Sequence, residues 1–558
     1  METWKRPRKP PACDPCKVRR VLCHPQPGGA PCPRCLEKGF ICTTTAVPRG
    51  RPRKHPVQPA SGRPHQTTPP LVLHPLPNFA SSAPCPELSP EFVAHCFEGL
   101  TFNALYQHPL IMATSIRSEL HAVSFQINLL PPQSRVLALC SVAFGSLCAF
   151  HESVLGDGPR PDSFLDPVFF SSSPDLLSCG VRRAAACQAL RSEALKAAWK
   201  VGIILLASHE NAASCYLLDL MDQTHEIASA GRPWATAYIA HMRSLAVWRT
   251  PPEVPWAPSS SGFLWIAYLM CDCLISARSR TPPLVTAQDQ LLLCGPEPPL
   301  ETLLATLEQS MNNPDVSLLW TSTKTYMFHI TTIARELVEK ITGDVPRDRP
   351  LSQIAVLSFL ESLSKIYSIL TLLLDLVDAL TAVPVISPPA VLDGAQIDVL
   401  AVTAAFGACF GFSGIVLPFY RELQHRDAEA REGAPTRERL QAHHMAVLAA
   451  REMARGIRYV PKIHYSPVHW ETIRSWAEWA AEEADLAGGT ISPEEARDLE
   501  TLADELKLLG YSLDAASAPE TVALIARMEG HVNRTIASLF LPPDDGSHLN
   551  EGAVSLQK

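Results

Sequence analysis

From residue 90 onward, apolar side chains recur at three- and four-residue intervals among charged and hydroxylic positions, with proline or glycine marking the breaks. In LRSEALKAAWK the residues Leu190, Ala194, Leu195, Ala198 and Trp199 fall on one helical face. The runs at 263–275 (FLWIAYLMCDCLI), 357–377 and 443–457 repeat this periodicity, and few alternating strand patterns compete with it. The pattern predicts a large all-α domain over residues 90–540, either one body or two abutting ones, with a flexible tail at 541–558.

Three stretches qualify the pattern. Residues 43–89 are rich in Pro, Ser and Thr, a composition that prevents helix and disfavours strand pairing, so a disordered linker is expected there, basic at first and Pro-rich afterwards. Val399 to Tyr420 carries no charge over a length sufficient to cross a bilayer. Gly407, Gly411, Gly414 and Pro418 within it argue instead for a buried helix of the core, and no membrane contact is expected. The run from Ile366 to Val383, broken by Asp375 and Asp378, also reads as core. Arg421 to Arg439 is densely charged and contains Gly433 and Pro435, which predicts an exposed loop.

Charge changes the picture at the other end. The 558-residue chain is acidic by 8 overall, yet residues 1–54 carry a net +10, which leaves −18 on the remainder. A basic segment ahead of an acidic body suits a polyanion at one end and other partners at the other. Residues 1–12 (METWKRPRKPPA) have cations without a following apolar core and are read as a basic arm rather than a secretory signal. Most of the 17 cysteines, such as Cys140, Cys148, Cys215 and Cys409, lie among apolar positions and read as small buried hydrophobes. A reducing compartment fits, and there six clustered thiols hold metal more readily than they pair.

Those six occur in CDPCKVRRVLC (13–23) and CPRCLEKGFIC (32–42). Cys13, Cys16 and Cys23 are each followed 19 residues later by Cys32, Cys35 and Cys42, which marks two copies of one small unit. Zinc takes four ligands in a tetrahedron, so six thiolates either fill one site with two to spare or serve two ions with two thiolates shared. By the symmetry of the repeat, Cys13 and Cys32 are the natural shared pair, with Cys16 and Cys23 completing one set and Cys35 and Cys42 the other. Asp14-Pro15 and Pro33 suit the first turns of two short helices.

This spacing, with Asp14 after the first cysteine and Lys17 after the second, closely resembles the fungal zinc binuclear cluster transcription factors. The resemblance implies two Zn2+ per cluster, bridged by the first and fourth cysteines, in a domain spanning 13–42. Six thiolates and two zinc ions leave a net charge of −2, which nearby cations offset. The cations are unequal between halves: Lys17, Arg19 and Arg20 lie in the first, only Arg34 and Lys38 in the second. The first helix is therefore expected to enter the major groove, where arginine meets guanine O6 and N7 in bidentate fashion. The resemblance places base contacts at Arg19 and Arg20, usually on a CGG triplet, with Lys17 on phosphate. Leu22 departs from the Lys or Arg common in that family, and His24 from a frequent Asp; with six thiolates sufficient, His24 is not counted as a ligand.

RGRPRK, carrying Arg49, Arg51, Arg53 and Lys54, resembles the core of an AT-hook that sinks into a narrow minor groove; a basic extension or nuclear import signal explains it as well. The proline-filled linker lacks a heptad pattern, so a monomer, or a dimer joined through the large domain, is expected on DNA. By resemblance, residues 90–540 form a regulatory domain, with LISARSRTPPLVTAQD (274–289) its most suggestive match, and transcriptional coregulators are its partners. The acidic stretch Glu471 to Glu505, with Trp476 and Trp479, reads as a pair of ordinary helices with solvated faces. No phosphate-cradling Gly-Lys-Ser/Thr loop, nucleophile elbow or His-Glu-x-x-His helix is present, so no enzyme is expected. The resulting expectation is a nuclear, zinc-dependent reader of double-stranded DNA that regulates transcription by RNA polymerase II. The alternative is a nuclear interaction protein whose cluster is structural.

Overall fold

The computed structural model describes residues 12–19, 21–26, 30–44, 84–101, 108–164, 166–224, 231–247, 260–310, 316–382, 394–430, 436–459, 469–488 and 491–540. The basic arm (1–11), most of the linker (45–83) and the tail (541–558) lie outside them. The chain divides into two units, Met1–Pro77 and Asn78–Lys558. Both are helical, and among the described residues there is no strand.

The first unit holds two helices of five residues, α1 (Asp14–Val18) and α2 (Pro33–Glu37). The second is built on α3 (Pro90–Thr101), α4 (Pro132–Gly145), α5 (Ser173–Val201), α6 (His209–Gln223), α7 (Pro233–Val247) and α8 (Ser260–Ser279), followed by α9 (Ala287–Cys294), α10 (Leu300–Ser310) and α11 (Val316–Leu337). It continues through α12 (Gln353–Ala382), α13 (Gly394–Ala430), α14 (Arg437–Tyr459), α15 (Trp470–Leu486), α16 (Pro493–Leu509) and α17 (Pro519–Phe540). The periodic runs at 190–199, 263–275, 357–377 and 443–457 lie in α5, α8, α12 and α14, where the apolar spacing placed helices.

Helix α13 is the centre of this unit and packs against α8, α11, α12 and α14. Its segment Thr403–Ala428 is long and apolar enough to cross a membrane, but 78% of its most apolar window is buried within the fold. The glycines explain how a helix is surrounded so closely. A Cβ at Gly411 would lie 2.8 Å from Met270 Sδ, and one at Gly414 only 2.9 Å from Leu274 Cδ2, so both are needed where α8 crosses. At the far end of the unit, α16 packs on α5, and the Tyr511 hydroxyl donates to the Cys148 carbonyl at 3.0 Å, tying the last helices to the first.

The expected exposed loop at 421–439 is corrected by the structure. Helix α13 runs on to Ala430 and α14 begins at Arg437. The charges are tolerated in a helix because they are paired: Glu422, fully buried, receives Arg426 Nε at 2.8 Å and Arg347 Nε at 3.2 Å, and Arg421 meets Glu482 at 2.8 Å. The breakers Gly433 and Pro435 fall among 431–435, outside the described residues. The acidic stretch forms α15 and α16, with Trp476, Trp479 and Glu505 turned into the core, Asp485 paired to Arg527 and Asp498 to Arg458. Cys140, Cys148, Cys215 and Cys409 are buried among apolar neighbours. In the 274–289 segment, Arg280 in the left-handed region ends α8, and Thr286 with Asp289 forms the capping box that opens α9.

Candidate metal centre

A five-residue helix does not persist alone in water, because its nucleus costs more than so few hydrogen bonds return. In the first unit each half-repeat therefore relies on its cysteines. Cys13 and Cys32 occupy the N-cap positions of α1 and α2 with nearly identical backbones, φ −66°, ψ 156° and φ −65°, ψ 149°. A proline lies in the first turn of each helix, where its missing N–H is not needed.

The hydrogen bonds repeat with the sequence offset. Lys17 N–H donates to Cys13 C=O and Leu36 N–H to Cys32 C=O, both at 3.0 Å. Val21 N–H reaches Cys16 C=O at 3.1 Å, and Phe40 N–H reaches Cys35 C=O at 2.9 Å. Cys13 N–H points at Cys23 Sγ at 3.5 Å, and Cys32 N–H at Cys42 Sγ at 3.4 Å. The unit is closed by Asp14 N–H donating to Thr43 C=O at 2.8 Å.

The interior is sulfur. Cys13, Cys16, Cys32 and Cys35 are buried, with their Sγ atoms all within 4.8 Å of one another, a group able to hold a metal ion. The separations are 3.8 Å for Cys13–Cys32, 3.7 Å for Cys13–Cys35, 3.8 Å for Cys16–Cys32 and 3.7 Å for Cys23–Cys13. Four thiolates at about 2.3 Å from one zinc stand about 3.8 Å apart along each tetrahedral edge, so the spacing fits that ion. It is far beyond the roughly 2.05 Å of a disulfide, and all six cysteines are free. Cys23 interacts with Cys13, Cys32 and Cys16, and Cys42 with Cys13, Cys35 and Cys32. The six sulfurs thus form one cluster, in which Cys23 lies against Cys13 and Cys42 Sγ against the Cys32 amide.

The protons are held unevenly. Burial, reinforced by Cys13 and Cys32, pushes the Cys16 thiol up to about 12 and Cys35 higher still. Burial acts on Cys13 as well, but the Cys16 amide and hydrogen bonds from Cys16, Cys35 and Cys23 outweigh it and draw that thiol down to about 6. A cation placed among these sulfurs replaces the protons, and its binding is then part of the folding free energy. The unit has little else to fold around, because Val18, Leu22, Leu36 and Ile41 face solvent, each more than 70% exposed.

The expected cations are set around this centre. Lys17 and Arg19 are exposed at the end of α1, and Arg34 and Lys38 are exposed on and after α2. Lys17 Nζ meets Asp14 Oδ1 at 3.0 Å, a surface pair of small energetic weight. Arg19 lays its guanidinium over the Phe40 ring at 3.6 Å. Arg20, Arg49, Arg51, Arg53 and Lys54 lie outside the described residues. The sequence reading missed Phe40 and Thr43. Phe40 had a signal: it stands 19 residues after Val21, the one partly buried aliphatic residue of the first half, so the repeat itself points to it.

No family model, curated protein or solved structure matches this chain.

Proposed function

We propose that the first unit holds two zinc ions, one on Cys13, Cys16, Cys23 and Cys32, the other on Cys13, Cys32, Cys35 and Cys42, and that it reads DNA. What supports the proposal is the cluster of buried sulfurs at tetrahedral spacing, with Cys23 against Cys13 and Cys42 Sγ against the Cys32 amide, and the three cations Lys17, Arg19 and Arg20 of the first half against Arg34 and Lys38 of the second. Zinc, when bound, supplies fixed geometry and positive charge. The chain's own residues do the reading: Arg19 and Arg20 contact guanine edges of a CGG-type site in the major groove, and Lys17, Arg34 and Lys38 hold phosphate. The Phe40 ring beneath the Arg19 guanidinium holds it near the end of α1 by a cation–π contact that takes up none of its N–H donors. Arg49, Arg51, Arg53 and Lys54 extend the contact along the duplex. The helical unit serves regulation through coregulator contacts, and the protein acts in the nucleus on transcription by RNA polymerase II.

A second reading is favoured by the exposed Val18, Leu22 and Ile41, which suit a protein partner better than a phosphate backbone. In that reading the cluster is structural and DNA contact is incidental. Selection of bound duplexes from a random pool by the zinc-loaded full-length protein, at one stated salt concentration, separates the two. Enrichment of CGG-containing sites supports the reader. Absence of any enriched sequence with two zinc ions bound refutes it in favour of the interaction protein.

A further inference from the structure

The second unit contains a cavity of about 260 Å3 between α6, α7, α8, α13 and α15. Its walls are largely apolar, with Tyr268, Phe410 and Leu417 among the residues that line it. Four arginines also reach it, and their circumstances differ. The charge of Arg232 is answered by Asp219 at 2.9 Å and Asp272 at 2.6 Å, and that of Arg421 by Glu482 at 2.8 Å. Arg278 and Arg280 have no such answer: among the described residues neither forms an ion pair, and Arg278 Nη1 has only the Thr472 hydroxyl at 3.4 Å.

Two further observations bear on these two cations. Burial lowers the Arg278 pKa, against the pull of Glu471, so its charge is partly desolvated without full compensation. Arg280 is held at φ 62°, a left-handed conformation that costs a non-glycine residue about 1 kcal/mol and that sets its side chain at the cavity where α8 ends.

We propose that this cavity binds a small organic anion: a carboxylate received by Arg278 and Arg280, and an aliphatic or aromatic body against Phe410, Leu417 and Tyr268. An inorganic anion leaves the apolar walls unused, a neutral apolar molecule leaves both guanidiniums unanswered, and a cation is repelled by them. The volume lies just below the roughly 300–1,000 Å3 of drug-sized sites, so the ligand has one or two rings rather than the bulk of a dinucleotide. The residues that line the cavity all belong to the helical unit, so the test below does not depend on the reading of the metal unit.

Thermal unfolding of the full-length protein tests this, followed by tryptophan fluorescence because nine of the ten tryptophans lie beyond residue 190. The probes are butyrate, octanoate, 4-phenylbutyrate and 3-cyclohexylpropionate at millimolar concentration, each beside its primary amide. At least one ring-bearing acid is expected to raise the melting temperature while its amide does not, because a ligand of the native state stabilises it by mass action. Arg278→Gln is expected to weaken that acid at least about tenfold, as loss of a charge-assisted contact does. If that variant does not fold, Arg280→Gln and the contrast of acid with amide in the wild type decide. The proposal is overturned if no acid of the series stabilises the protein, or if acid and amide act equally.

Discussion

The proposed sharing of Cys13 and Cys32 between two zinc ions is measurable residue by residue. Native mass spectrometry of the full-length protein is expected to find two zinc ions, about one after Cys42→Ala, and none held tightly after Cys32→Ala, because that change leaves three thiolates for each ion. Equal zinc content in the two variants would show that Cys32 is not shared. The cysteine cluster was legible in the sequence because the 19-residue offset is fixed by the covalent chain itself. The Arg19 stack on Phe40 was not, since it joins one half of the repeat to the other through space. The unpaired arginines of the cavity were equally hidden. Arg278 and Arg280 stand in a sequence context no different from that of Arg232, and only the fold assigns Asp219 and Asp272 to the latter.

At the scale of elements, the helices followed from apolar spacing, and their ends followed less well. Helix α13 extends past Tyr420 because Arg347, 75 residues earlier in the chain, meets Glu422; periodicity carries no trace of so distant a partner. The crossing of α13 with α8 depends on missing side chains. Gly411→Leu forces atoms into Met270 and is expected to lower stability by about 1–3 kcal/mol or more in urea unfolding, whereas an exposed change such as Leu486→Ala should cost little. On α16, Glu505 is buried beside Asp504, and burial first, then that neighbour, pushes its carboxyl up to about 7. The folded pKa lies above the unfolded one, so the folded state retains a proton that the unfolded state releases. Stability contributed by this group is therefore complete below about pH 4.5 and is lost as pH rises toward 7. Glu505→Gln should match wild type in acid and exceed it above pH 7, by on the order of 3 kcal/mol at most. Parallel stability curves for the two proteins from pH 4 to 8 would rule out this assignment.

For the whole molecule, the two units rest on different physics. The helical unit has a continuous hydrophobic core centred on α13, while the first unit has four buried sulfurs and exposed aliphatic side chains. Chelation of metal should therefore abolish structure in residues 13–42 and leave the helical circular dichroism and thermal transition of the second unit almost unchanged. Loss of both together would mean that the helical unit depends on the metal. The central claim is that the cluster directs cations to base edges, and it is tested most directly by fluorescence anisotropy of the zinc-loaded full-length protein. A CGG-containing duplex and a scrambled duplex of equal length are compared at one salt concentration, for wild type and for the Arg19→Ala/Arg20→Ala double variant. The account requires wild type to favour the CGG duplex by about tenfold or more per altered base pair, and the double variant to lose that preference while keeping two zinc ions. Equal affinity of the wild type for both duplexes, with two zinc ions bound, would contradict it.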